Sequence, residues 1–289
     1  TLERMTLVHH CQIMADTTIS ANNPCVSHVS PHPLLSPFIS HYTFRRLLIP
    51  AGACVEKAMP LRLINSIDFF IGDAYETIDC RSGEVIPFFR CTLRGFRTGK
   101  KYLIRLRGQF ISFTVKFHHT GMYQLLRMPM DKFRNRAVSG ADIEVLPFEH
   151  ITKQLLYAED IHTCITIAEP YLLSLVATHL PVSGETQRAV EMLKQQKGAT
   201  SIMQLAMDSH LSLRQLERKF VKEIGVSPKT YARMLRFQQF LQSRTITPHQ
   251  KWAALANDNH YFDQMHLVKE FKQFLGTTPS AFVSADFAF

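Results

Sequence analysis

No Cys-x-x-Cys pair occurs in the chain, and its six cysteines, Cys11, Cys25, Cys54, Cys80, Cys91 and Cys164, are scattered. A zinc ribbon or a redox dithiol therefore lacks its donors, and reduced, mostly buried thiols are the expectation. No apolar run approaches the roughly 18 residues that a membrane helix needs. Glu3, Arg4, His9, His10 and Asp16 break up the apolar residues near the N-terminus, which argues against a secretory signal and for a cytoplasmic protein. There is no phosphate-cradling glycine loop, no G-x-S-x-G elbow and no HExxH, so no enzyme class finds its residues here. The expectation is accordingly no catalytic residue, no metal and no cofactor.

What the chain has is positive charge, +9 overall with a pI near 9.3, denser per residue in the tail than in the front. An anionic partner such as nucleic acid or an acidic membrane surface fits that balance. At 289 residues the chain has room for two domains, each with its own core. Residues 1–36 are rich in polar residues and prolines and read as poorly organised. From about Phe38 to Phe117 short apolar runs are broken by glycines, a β texture. The clearest strand is Phe110 to Phe117, where Ile111, Phe113, Val115 and Phe117 alternate with Ser112, Thr114 and Lys116, predicting one buried and one wet face. Helices are expected over Met122 to Met128, Phe148 to Ala158 and Ala168 to Leu180, the last with Pro170 in its first turn. Residues 37–180 thus form one unit and 181–184 a linker.

From 185 to 289 everything reads as short-looped helix: Glu185 to Gln196, Ser201 to Ser209, Ser212 to Ile224, Pro228 to Ser243, Pro248 to Asn257, Asp263 to Leu275 and Pro279 to about Val283. That is an all-α domain of seven helices, and the whole chain is α+β. Within it Leu216, Phe220, Gly225, Ser227, Pro228 and Tyr231 recur 51 positions later as Leu267, Phe271, Gly276, Thr278, Pro279 and Phe282. Six matches at one offset mark a supersecondary unit used twice. Each unit is a supporting helix, a tight turn and an amphipathic second helix, the requirement of a helix-turn-helix.

In the first unit Leu213, Leu216, Phe220 and Ile224 share one arc and must face the core, while Arg214, Gln215, Arg218 and Lys222 lie opposite. Guanidinium forks there can reach guanine edges, and amines can reach phosphates. In the second unit Leu267, Phe271, Phe274 and Leu275 form the buried arc. Met265, Lys269, Lys272 and Gln273 face outward, so this unit offers methyl contacts and phosphate contacts but no guanidinium fork.

The run Leu213, Arg214, Gln215, Leu216, Glu217, Arg218, Lys219, Phe220, with Gly225, Val226, Ser227, Pro228 and Tyr231 after it, resembles the signature of the AraC/XylS family of bacterial transcription regulators. So does the run from Tyr261, Phe262, Asp263 and Gln264 through His266, Leu267, Lys269, Glu270, Phe271 and Lys272 to Gly276, Thr278, Pro279 and Phe282. The resemblance covers about 185–285. It implies two helix-turn-helix subdomains joined by a long helix, here Pro228 to Ser243, with both second helices in successive major-groove segments of an operator in double-stranded DNA. Arg214, Gln215, Arg218, Lys222, Gln264, Met265, Lys269 and Lys272 are the contacts it implies. Where the family has glycine in the second turn, this chain has Asn259 and His260, and a left-handed asparagine is the expected substitute.

The front half is similar to the β-rich, cupin-like regulatory domains that precede this module, on Tyr42, the Phe110 to Phe117 strand and Gly121, Met122, Tyr123, Leu125, Leu126 and Pro129. The resemblance implies a small-molecule effector, a homodimer or both, and RNA polymerase as a further partner of an activator. Arg90, Arg94, Arg97, Lys100, Lys101, Arg105, Arg107 and Lys116 occur with no acidic residue between Glu84 and Asp131. A solvated strand face is the expected reading, with an acidic ligand or a DNA-facing surface as the other readings. His118 and His119 at a strand end point to opposite faces and cannot share a metal. The rival to DNA recognition is a ligand-sensing or protein-docking module with weak, salt-insensitive DNA binding.

Overall fold

The computed structural model describes residues 25–99, 102–178, 184–247, 249–259, 261 and 263–283. Ten strands build the front half: β1 (Cys25–Val29), β2 (Ile39–Leu48), β3 (Val55–Met59), β4 (Ser66–Phe70), β5 (Glu76–Asp79), β6 (Val85–Ile86), β7 (Cys91–Arg94), β8 (Tyr102–Leu106), β9 (Gln109–Phe117) and β10 (Ala137–Ser139). They form a six-stranded sheet in the order β1-β2-β9-β4-β7-β10 and a four-stranded sheet in the order β3-β8-β5-β6. Every pairing among the described strands is antiparallel, and most sheet neighbours, β2 and β9 among them, are far apart in sequence. Residues 25–36 hold β1 and a turn whose Leu35 is fully buried; residues 1–24 lie outside the described part.

Strand β9 is central, flanked by β2 and β4, and both of its faces are buried. Ile111, Phe113, Val115 and Phe117 pack with α1 (Gly121–Leu126), α2 (Phe148–Leu155) and α3 (Ile161–Thr178) in one core. Ser112, Thr114 and Lys116, expected to be wet, are buried on the opposite face. The alternation was real, but the polar face lines a hydrogen-bonded interior: Thr114 donates to Asp68 Oδ1 at 2.8 Å and Ser66 donates to Oδ2 at 2.7 Å. Buried polar groups persist when they are paired in this way.

Helix α3 begins seven residues before the expected Ala168, so Pro170 sits inside it rather than in its first turn. The ring there removes one backbone donor. Beyond Gly184 lie α4 (Glu185–Gln195), α5 (Ile202–Asp208), α6 (Leu213–Ile224), α7 (Pro228–Ile246), α8 (Trp252–Asp258), α9 (Gln264–Leu275) and a final 3-10 turn (Pro279–Ala281). The last expected helix is thus a single tight turn, and α8 starts at Trp252 instead of Pro248. Pro248, the end of the expected Ala168 to Leu180 helix at 179–180, and 181–183 of the 181–184 linker lie outside the described residues. Cysteines differ too: Cys25, Cys54 and Cys80 are exposed, while Cys91 and Cys164 are buried, and burial pushes the Cys164 thiol up to about 12.

The second hydrophobic core holds the inner faces of α4 to α9, and Leu61, Leu63 and Phe96 of the front half are part of it. Phe96 stacks on Tyr231 at 6.0 Å, and the His119 ring stands edge-on to both. The Leu61 amide donates to the Phe274 carbonyl at 3.2 Å, satisfying one of the acceptors left open at the end of α9.

Candidate nucleic-acid interface

Helix α6 is fixed at both ends by its own sequence. Ser212 accepts the Gln215 amide at 3.3 Å, and the Gln215 side chain accepts the Ser212 amide at 2.9 Å, a reciprocal capping box. Gln215 is therefore held by its cap bond, with its amide hydrogens and one further lone pair left for a partner. Gly225 ends the helix at φ +94°, donating to Phe220 and Val221, and a Cβ there would come within 2.8 Å of the Met130 carbonyl. Only glycine meets both constraints.

Along α6, Leu216, Phe220 and Ile224 are fully buried, whereas Leu213 is 38% exposed and leaves the expected buried arc. It is the first helical residue, where the chain is still turning away from the core. Arg214, Gln215, Arg218 and Lys222 are all exposed. Arg214 and Arg218 stand one turn apart on the same outer face. Lys222 differs: its Nζ lies 5.8 Å from the centre of the Tyr123 ring, on the side of the front half. Lys219 reaches back to Glu185 of α4 at 3.5 Å, which ties α6 to the helix before the motif.

Helix α9 repeats the plan with different fastenings. Asp263 caps it by accepting the His266 amide at 2.6 Å, and Gly276 ends it in the left-handed region. Leu267, Phe271, Phe274 and Leu275 are fully buried, as the periodicity predicts. Gln264, Met265, Lys269, Lys272 and Gln273 are exposed, and Gln273 accepts from Arg233 at 2.7 Å. Sequence reasoning gave no role to Arg233 or to the buried Glu270, yet their ion pair at 2.8 Å binds α7 to α9. Tyr261 donates to the other carboxylate oxygen at 2.9 Å; burial, then Glu270 itself, drives the phenol pKa well up.

The two turns are unequal. Leu211 closes the first by donating to Ala206 at 2.9 Å, and Tyr261 closes the second by donating to Ala256 at 3.0 Å. The supporting helices α5 and α8 are thus 50 positions apart, while α6 and α9 are 51 apart: the second turn, 259–263, has one residue more than the first, 209–212. His210 supplies the left-handed residue of the first turn at φ +55°. Asn259 does not do so in the second, because its φ is −106°. Its side chain instead donates to the Leu255 carbonyl at 2.8 Å and accepts from Ser243 at 3.3 Å, anchoring the turn to α7. His260 lies outside the described residues.

The basic stretch of the front half is only in part a solvated strand face: Arg90 and Arg107 are exposed, whereas others turn inward or pair. Arg97 and Lys116 are buried, Arg94 bonds Thr92 and Tyr75, and Arg105 is held between Glu56 at 2.6 Å and Glu76 at 2.8 Å. Arg90 donates to the Phe70 and Gly72 carbonyls. Lys100 and Lys101 lie outside the described residues. His119 is wedged between Phe96 and Tyr231, and His118 is exposed.

Two capped helix-turn-helix units, each with an exposed basic outer face, make up the candidate nucleic-acid interface. Residues 205–285 match the family model described as a helix-turn-helix domain. Among solved structures, ToxT from Vibrio cholerae in its P21 form is similar over 83% of this chain and 96% of its own, at 8% identity and a TM-score of 0.42. Unsaturated fatty acid-bound ToxT from Vibrio cholerae strain SCE256 is similar over 83% and 93%, at 10% identity and 0.41. The AraC-like transcriptional activator CuxR is similar over 70% and 76%, at 16% identity and 0.26. Comparison with curated proteins gives no match. Among the described residues no helix is long and apolar enough to cross a membrane.

Proposed function

We propose that the chain is a sequence-specific activator that lays α6 and α9 into successive major-groove segments on one face of its operator. The observation that carries this reading is the outer face of α6, where Arg214 and Arg218 stand exposed on a helix capped at both ends and buried along its opposite side. A rigid helix presents its guanidinium forks without a large ordering cost, which direct base readout requires. Lys269 and Lys272 on α9 are suited to phosphates, and Met265 to a thymine methyl. Arg214 and Arg218 therefore read sequence, and α9 mainly sets register.

The protein works in the cytoplasm as a regulator without catalysis, with a small effector in the front half, RNA polymerase as a partner and dimerisation through the front half. Selection of bound sequences from a random DNA pool tests the central reading. Two half-sites about one helical turn, roughly 10 base pairs, apart are expected. Enrichment of a single half-site removes α9 from the groove, and no enrichment removes the DNA reading altogether.

A further inference from the structure

Between the two sheets of the front half lies a partly open cavity of about 180 Å³. Four arginines line it: Arg62, Arg94 and Arg97 on the inner side, and the exposed Arg136. Among the described lining residues there is no carboxylate. The nearest one that offsets them is Asp68, 3.6 Å from Arg94 and 4.0 Å from Arg62, and both of its oxygens already accept hydroxyl hydrogen bonds. Arg62 also donates to Ser66 at 2.6 Å, and Arg97 donates to the Pro60 carbonyl. One buried and two half-buried guanidiniums thus share one carboxylate, an arrangement that costs free energy unless a further anion completes it. The strain falls on Arg97, whose pKa is pushed down to about 9 by burial and then by Arg62 and Arg94.

The rest of the wall is mixed: Met59, Ile86, Phe88, Phe89 and Val138 supply apolar surface, and Tyr75, Thr92, Tyr102 and Asn135 supply polar groups. A cavity of roughly 150 Å³ suffices for benzene, so about 180 Å³ holds one ring with an anionic head and excludes a long chain. Guanidinium forks match carboxylates and phosphates by geometry as well as charge. We propose that this cavity is the effector site of the regulator and takes a compact organic anion, its head on Arg62, Arg94 and Arg97 and its ring against Phe88 and Phe89. The site also lies beside the DNA-binding half: Arg62 and Arg97 are bridged backbone to backbone, and their chain neighbours Leu61 and Phe96 are buried in the helical core. The effector role rests on the regulator reading, whereas the binding does not.

Isothermal titration of the full chain without DNA tests the site, with benzoate, phenylphosphonate, neutral benzamide and inorganic phosphate as probes. Saturable binding of benzoate or phenylphosphonate is expected, and the better of the two identifies the head group. Benzamide should bind at least about tenfold more weakly. Arg62→Gln should weaken the anions and leave benzamide unchanged, and Ile86→Trp, which narrows the cavity away from the arginines, should weaken every ringed probe. Equal binding of benzamide and benzoate overturns the charge argument. Inorganic phosphate binding as tightly as the ringed anions overturns the shape argument, and failure of both ringed anions on the unmodified chain overturns the site, whatever the variants do. None of these outcomes bears on DNA recognition.

Discussion

The carboxylate of Glu270 is fully buried on α9, and Arg233 of α7 donates to it at 2.8 Å while remaining partly open to solvent. The pair, together with Tyr261, makes the second helix-turn-helix depend on the long helix that leads into it. Arg233→Met leaves the buried acid with only the His266 ring, 3.6 Å away, as a partial substitute and should cost about 3–5 kcal/mol. Glu270→Gln keeps a polar partner for Tyr261 and should cost less, about 1.5–3 kcal/mol. Denaturant unfolding of the two variants measures both; equal costs would contradict the stated asymmetry.

Replacing Arg214 or Arg218 by alanine should weaken operator binding by about 1–3 kcal/mol and relax preference at the contacted base. Lys269→Ala and Lys272→Ala should weaken all sequences alike and lower the salt slope by about one each. Binding isotherms on operator and scrambled DNA at several salt concentrations separate the two patterns. Full affinity and preference in the Arg218→Ala protein would remove that residue from the reading face.

Ser212→Ala removes one half of the α6 capping box and should cost about 1 kcal/mol of stability. It also frees the Gln215 side chain. The loss should appear in thermal unfolding of the free protein, and an unchanged transition would mean that the cap contributes nothing.

Gly225→Ala meets both a positive φ and the Met130 carbonyl, so a cost of about 1–3 kcal/mol is expected. Because Met130 belongs to the front half, the variant should also loosen the contact between the halves, seen as faster proteolysis between them. A variant as stable and as resistant as the parent would show that the backbone there yields freely.

Burial, followed by the nearby charges of Lys194 and His118, holds His119 down to about 3, against 6.5 when unfolded. Above pH 6.5 both states are neutral and nothing is lost. As pH falls from 6.5 towards 3 the unfolded chain takes up a proton that the folded chain refuses. Stability then declines by up to about 1.4 kcal/mol per pH unit. His41, held down to about 4, acts in the same direction. His119→Phe should therefore flatten the acid slope without abolishing it, and an unchanged slope in pH-dependent unfolding would exclude His119 as its source.

The helical half is legible in sequence because its signals are local. Ser212, Asp263, Gly225 and Gly276 mark helix ends within a few residues of themselves, and the buried arcs follow a 3.6-residue period. The front half obeys long-range pairings. Ser112, Thr114 and Lys116 look solvent-facing until Asp68 and its hydroxyl partners arrive from β4, more than forty residues away. The longer second turn was hidden for a different reason: the repeat is strict only from Leu216 and Leu267 onwards, so a one-residue slip upstream leaves it intact. For the contacts themselves, sequence selected residues that are exposed. It did not foresee that Gln215 serves the cap or that Lys222 leans towards Tyr123.

Leu61, Leu63 and Phe96 belong to the front of the chain but fill the interior of its back. A fragment begun at Gly184 would lack three inner side chains and would lay Tyr231 open to water. Such a fragment should be prone to clumping and slow to refold, and its grip on an operator would describe a damaged molecule. Dissecting this protein by truncation would therefore misstate it, and point changes in the intact chain are the sounder route.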